Sequence, residues 1–175
     1  MKHLLTAILL ALGLSITHAQ ETVYPVIQGY GVIKVVPFET AKPNPNVEYK
    51  LLREHYQGYE DKTKLYGALN YTARIINAHA YAGVPEENLK MAVVVFSGAT
   101  ALVLNNKEYN ERFGVNNPNS DLINQLTKAG VEIIVCGQSM MNQKILPEHV
   151  HEGVSMAVSR ITASSNLLNK GYKIF

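Results

Sequence analysis

Residues 130–141 read Gly-Val-Glu-Ile-Ile-Val-Cys-Gly-Gln-Ser-Met-Met. Val131 to Val135 is a short apolar run rich in β-branched side chains with glycines close on either side, the pattern of a buried strand. This strand delivers Cys136, the only cysteine of the chain, to its C-terminal end. Gly137 then allows a tight turn, and Gln138-Ser139 begins a helix. In open α/β sheets, ligands bind in the crevice outside the strand C-termini. A thiol placed there faces the backbone N–H groups of the following turn, which favour its thiolate.

The flanking sequence supplies the rest of such a sheet. Lys90 to Phe96 is apolar on both faces, as a parallel strand covered on both sides must be, and the turn Ser97-Gly98-Ala99-Thr100 follows it. A short helix continues from that turn to Leu104. Val47 to His55 reads as the first core strand. Between these strands, Leu65, Leu69, Ala73, Ile76 and Ala80 recur at helical spacing and predict a helix over Lys64 to Ala82, stopped by Gly83 and Pro85. Asn105 to Ser120 is polar and asparagine-rich, with Asn116-Asn117-Pro118 marking a loop. Asn119 or Ser120 then caps a helix over Asp121 to Ala129. Beyond Leu146, Pro147 suits the first turn of a long helix whose buried face carries Val150, Val154, Ala157 or Val158, Ile161 and Leu168. Gly171 stops it, and Tyr172 to Phe175 adds a last short strand. Strands alternating with helices predict an α/β fold, a three-layer α/β/α sandwich with a mainly parallel sheet of about five strands. Right-handed crossovers bring the ends of the Phe96 and Cys136 strands to one sheet edge. The candidate site is therefore two turns: Cys136, Gly137, Gln138 and Ser139 on one, Ser97, Gly98 and Thr100 on the other.

Composition bounds what such a site serves. With 175 residues and 47% hydrophobic content, the chain holds one ordinary domain, residues 47–175. An arm or linker over residues 20–46 precedes it, to pack on its own domain or on a neighbouring subunit. Residues 1–19 read as a secretory signal, with basic Lys2-His3, an apolar run from Leu4 to Ile16, and small residues before a cut after Ala19. The expected location is outside the cytoplasm, in a periplasm. A formal net charge of +2 makes no case for nucleic acid, and no segment after the leader suits a bilayer. An exported chain with one cysteine has no internal disulfide, leaving intermolecular pairing, a reactive thiol or a buried inert side chain. The strand-end position of Cys136 favours the reactive thiol.

Other motifs lead elsewhere and stop. Gly29-Tyr30-Gly31 lacks the third glycine and the flanking elements of a nucleotide loop. His149 and His151, if helical, point to opposite faces and cannot share a metal, and His149 with Glu152 is a ligand pair short of a site. A Cys–His hydrolase needs an imidazole within hydrogen-bond reach of the thiol, and His149 is the one candidate. Ser139 stands where the second cysteine of a Cys-x-x-Cys motif belongs, so a self-contained dithiol mechanism is excluded.

Two stretches, Met91-Ala92-Val93-Val94-Val95-Phe96-Ser97-Gly98-Ala99 and Leu126-Thr127-Lys128-Ala129-Gly130-Val131-Glu132-Ile133-Ile134-Val135-Cys136-Gly137-Gln138-Ser139-Met140, resemble the DsrE/DsrF-like family. The segment Ala73-Arg74-Ile75-Ile76-Asn77 is similar to its exported branch. The resemblance runs from about Val47 to Phe175. It implies a sulfur-relay protein in which Cys136 accepts a sulfur atom as a persulfide and passes it on, without metal or organic cofactor. It further implies homo- or hetero-oligomers, with sulfur donor and acceptor proteins or small sulfane-sulfur compounds as partners. Many exported relatives carry His-Gly where this chain has Ser97-Gly98, so the resemblance brings the cysteine without a neighbouring base. The competing expectation is a periplasmic binding or assembly module with an inert, buried Cys136.

Overall fold

The computed structural model of the protein describes residues 20–175, and the expected leader over residues 1–19 lies outside them. The arm opens with two short strands, β1 (Thr22–Val23) and β2 (Ile33–Lys34), paired antiparallel. The sheet proper follows with β3 (Tyr49–His55), then helix α1 (Gly67–Tyr81), strand β4 (Leu89–Val95) and a 3-10 segment, Ser97–Val103. Helices α2 (Asn106–Phe113) and α3 (Ser120–Lys128) lead to β5 (Glu132–Cys136) and the one-and-a-half-turn helix α4 (Gly137–Asn142). Strand β6 (Val154–Ala157), helix α5 (Arg160–Asn169) and β7 (Lys173–Ile174) complete the chain. The five core strands run parallel in the order β6-β5-β4-β3-β7.

From β3 to β6 every step moves to the next strand in the same direction, so right-handed crossovers put all the intervening helices on one face. The step from β6 back across the sheet to β7 runs the other way and puts α5 on the opposite face. The period-two pleat divides the strand residues to match. Leu51, Met91, Val93, Val95, Ile133 and Val135 join the larger core with side chains of α1, α3 and α4. Leu52, Ala92, Val94 and Ile134 face Ala163 and Leu167 of α5. The result is the expected three-layer sandwich, with one layer reduced to a single helix.

Two stretches add to or correct expectation. The polar stretch after Leu104 holds a helix for which no expectation was set, because Asn105 Oδ1 accepts from Glu108 N at 2.9 Å and caps α2, which ends at Gly114 in the left-handed region (φ 74°). Residues 147–168 are not one helix. Pro147–His149 is a single 3-10 turn, Val154–Ala157 pairs with β5, and Ser159 starts α5 by accepting from Ile161 N at 3.0 Å. Pairing with β5 gives the inner side of residues 154–157 its ladder hydrogen bonds and the sheet its fifth strand, outweighing a helical spacing with little apolar bulk behind it. At the chain end, β7 lies parallel to β3, as the last expected strand.

The arm lies against its own domain. Buried Asn77 on α1 accepts from Val26 N and Ile27 N at 3.0 and 2.8 Å and donates to the carbonyls of Ile27, Tyr30 and Gly31. Gly31 (φ 61°) has to be glycine, since a Cβ there would run into the backbone of Ala73 and Arg74. Among the described residues, no helix is long and apolar enough to cross a membrane.

His55, at the end of β3, is 2% exposed and packs edge-on against Tyr66. Thr72 Oγ1 gives its proton to Ala68 O, so the His55 Nε2–H donates to Thr72 Oγ1 at 3.2 Å. Burial, and secondarily the charge of Arg53, push the imidazole from 6.5 down to about 4. The folded state thus refuses a proton that the unfolded chain accepts below pH 6.5, and stability falls as pH drops from there, levelling off below about 4. The effect is about 3 kcal/mol between neutral pH and pH 4. Urea unfolding of wild type and His55→Gln at both pH values is expected to show that much less acid sensitivity in the variant, and equal acid sensitivity would contradict the assignment.

Candidate functional site

Cys136 closes β5 and stands opposite Ala157, the last residue of β6. The connections after these two strands part here. Helix α4 turns to the larger core, where Met140 is buried, while α5 turns to the other face. A crevice at such a switch, outside the strand C-termini, is where α/β sheets bind ligands. The backbones meet closely: a Cβ on Gly137 would lie 2.8 Å from Ala157 O and 3.2 Å from Val158 O. Gly98 has the same constraint on the β4 side, where a Cβ would lie 2.6 Å from Gly58 N.

Cys136 is 3% exposed. Burial alone pushes its thiol up, because it penalises the thiolate. Opposing it are hydrogen bonds from the Ser139 hydroxyl and from the backbone N–H groups of Ser139, Arg160 and Gln138, which together hold the thiol below its ordinary value. Donors thus reach the sulfur from both α4 and α5. Gln138 takes part through its N–H, while its exposed side chain reaches Val158 O at 3.4 Å and ties α4 to the β6–α5 turn.

The β4 turn joins this set through its backbone. Ser97 holds a left-handed conformation (φ 53°), uncommon for a residue with a Cβ. Its N–H donates to Ser139 Oγ at 2.9 Å. Its carbonyl accepts from Thr100 Oγ1 at 2.7 Å and from Gln143 Nε2 at 2.8 Å. Thr100 is fully buried and its one hydroxyl proton is committed to Ser97, so it braces the turn and does not supply the expected hydroxyl to the site.

Arg160 and Gln143 escaped the sequence reading. Arg160 was hidden inside the supposed helix over 147–168. The signal that finds it is Ser159, a helix-capping residue placed after four residues of strand. The Arg160 guanidinium lies over the Phe96 ring at 4.9 Å and 3.7 Å from Glu54 Oε1, which anchors the start of α5 beside the β4 turn. The histidines lie elsewhere. His149 Nδ1 accepts from Leu146 N at 3.2 Å and sits 3.4 Å from Glu108 Oε1, and His151 Nδ1 accepts from Gly153 N. No imidazole is among the groups that act on the Cys136 thiol. His149 is in a 3-10 turn and His151 follows it outside any helix, so the two are not on the faces of one helix. Among the described residues, no three His, Cys, Asp or Glu side chains gather closely enough to hold a metal ion.

The fold and this strand-end cysteine define an α/β protein with a thiol at the sheet's switch point. The chain belongs to the DsrE/DsrF-like family, associated with sulfur relay, whose family model matches residues 62–175. Among solved structures, the protein of unknown function MTH1491 from Methanobacterium thermoautotrophicum is similar at 13% identity and a TM-score of 0.56, covering 73% of this chain and 98% of that one. The ychN protein from E. coli is similar at 15% identity and a TM-score of 0.53, covering 73% and 99%. At these identities the likeness concerns the fold. No curated protein matches the chain in sequence at a significant level.

Because a Cβ at position 137 would press on the carbonyls of Ala157 and Val158, Gly137→Ala is expected to push the β6–α5 turn away and withdraw the Arg160 N–H from the sulfur. Overpacking of this kind costs about 1–3 kcal/mol. Urea unfolding is expected to show that loss, and ultraviolet titration of the thiolate a raised Cys136 pKa. A variant with wild-type values in both would contradict the close contact.

Proposed function

We propose that this protein is an exported sulfur carrier in which Cys136 accepts a sulfane sulfur as a persulfide and hands it to an acceptor. The observation that carries the reading is the place of the one cysteine: Cys136 ends β5 opposite Ala157, where α4 and α5 leave to opposite faces of a DsrE/DsrF-like sheet, and its thiol is held below the ordinary value. In the accepting step the thiolate attacks the outer sulfur of a donor, forming one S–S bond and breaking another. With thiosulfate the leaving group is sulfite, and with a donor persulfide it is the donor's thiolate. The new terminal sulfur carries the negative charge, and N–H groups at a turn suit an anion of that kind. An acceptor thiolate removes the sulfur by the same exchange in reverse, and Cys136 returns as thiolate. No metal or organic cofactor enters this cycle.

The leader over residues 1–19 supports a place outside the cytoplasm, and family membership supports sulfur donor and acceptor proteins as partners. Val158 and Ile161, both largely exposed, flank the turn that covers Cys136 and offer an apolar rim to such a partner or to a second copy of the chain. The low exposure of Cys136 favours one other reading, a binding or assembly module with an inert thiol.

Intact mass after incubation with thiosulfate, polysulfide or a persulfide donor separates the two. Wild type is expected to gain about one sulfur, removable by reductant, with Cys136→Ser gaining none, as thiolate exchange requires. The loading rate is expected to follow the thiolate fraction and so to persist below the pH at which an ordinary thiol stops reacting. An unmodified mass, with Cys136 silent to thiol reagents until the protein is denatured, would leave the inert module.

A further inference from the structure

Gln143, just past the end of α4, reaches back to the β4 turn with both hydrogens of one amide nitrogen. Its Nε2 donates to Ser97 O at 2.8 Å and to Thr100 Oγ1 at 3.2 Å. The residue is held from behind: Arg112 Nη1 and Nη2 donate to the carbonyls of Gln143 and Lys144 at 3.1 Å each, while Arg112 Nε bonds Glu108 Oε1 at 2.6 Å. Lys144 itself has φ 53°, so the chain reverses sharply where Arg112 grips it. The Ser97 carbonyl thus has two donors, Gln143 and Thr100, and the peptide that follows an uncommon left-handed φ is fixed in place. That fixed turn aims the Ser97 N–H at Ser139 Oγ. A hydroxyl has one proton and two acceptor positions. With one acceptor position filled by Ser97, the proton of Ser139 is directed away from the β4 turn, and the Ser139 hydroxyl, one helical turn after Cys136, is the first of the groups that lower the pKa of its thiol.

We propose that Gln143 is a positioning residue for Cys136: its amide locks the 97–100 turn so that the Ser97 N–H orients the Ser139 hydroxyl as a donor to the cysteine sulfur. The proposal deepens the carrier reading and takes its functional meaning from it, since a carrier thiol has to be thiolate at neutral pH to attack a sulfane sulfur. The relay runs from Gln143 through Ser97 and Ser139 to Cys136, and no member except Cys136 reacts. Gln143→Met keeps the length of the side chain and removes both donated hydrogens. Thr100→Val keeps shape and removes the second donor to the Ser97 carbonyl.

The test is a double-mutant cycle read by thiolate absorbance, with Cys136→Ser subtracted to remove the tyrosine signal. Ser139→Ala is expected to lower the thiolate fraction at a fixed pH below the thiol pKa by about tenfold, the loss of one charge-assisted bond. Gln143→Met is expected to lower it by about threefold through Ser139, and Gln143→Met with Ser139→Ala to equal Ser139→Ala alone. Thr100→Val is expected to shift in the same direction and to be equally silent once Ser139 is alanine, which decides the matter if Gln143→Met does not fold. Unchanged titration in Gln143→Met, or losses that add to that of Ser139→Ala, would overturn the relay. Sulfur loading measured on the same proteins keeps the two ideas apart. A cycle that behaves as expected in a protein that never takes up sulfur sinks the carrier reading alone, and sulfur uptake with an additive cycle sinks the relay alone.

Discussion

A parallel sheet with right-handed connections has no freedom about which face each connection takes. In this chain the steps from β3 through β6 all run one way, and the last step runs back. The connections after β5 and β6 therefore leave on opposite faces, and these two strand ends are the one adjacent pair in the sheet whose connections part. Cys136 and Ala157 are that pair. The larger and smaller cores, the single helix on the second face and the place of the cysteine all follow from this one constraint.

Two effects compete at the sulfur. Removal from water disfavours a thiolate, and Cys136 is almost wholly removed. Hydrogen-bond donors favour it, and here they come from three segments: the first turn of α4, the first turn of α5, and, through Ser139, the turn after β4. The donors prevail, so the thiol is held below its ordinary value without a cationic side chain or an imidazole among the causes. Most of the arrangement is backbone. Side-chain identity matters where it sets the backbone: glycine at 137 and 98 for close approach, Ser159 as a cap, and Gln143 with Arg112 to brace the turn.

The residues visible in the sequence were those with local signals. Apolar runs of β-branched residues marked β4 and β5, helical spacing with Gly83 and Pro85 marked α1, and Cys136 announced itself at a strand end. What stayed hidden depended on tertiary partners. Strand β6 is four residues long with only Val154 deeply buried, so its alternation was too short to compete with an accidental helical spacing through Val150, Val154 and Ile161. Losing β6 concealed the turn at 157–160, and with it the α5 half of the donor set. The asparagines between 105 and 117 gave only a polar composition and a loop at 116–118, whereas Asn105 caps α2 and Asn117 bonds the carbonyls of Leu102 and Leu104; Asn119, expected at the start of α3, accepts from Tyr66 N. Thr100 was visible as a polar turn residue, but the direction of its hydroxyl was not, because that depends on Ser97.

The central claim is that the sulfur of Cys136, where α4 and α5 part, is the reacting one. The most direct measurement is a crystal structure of the protein after reaction with polysulfide, with sulfur positions fixed by anomalous scattering. The expected result is a second sulfur bonded to Cys136 Sγ, with the N–H groups of Gln138, Ser139 and Arg160 turned to it. A bare Sγ in a crystal whose protein carries added sulfur by mass, or sulfur bound away from Cys136, would contradict the account.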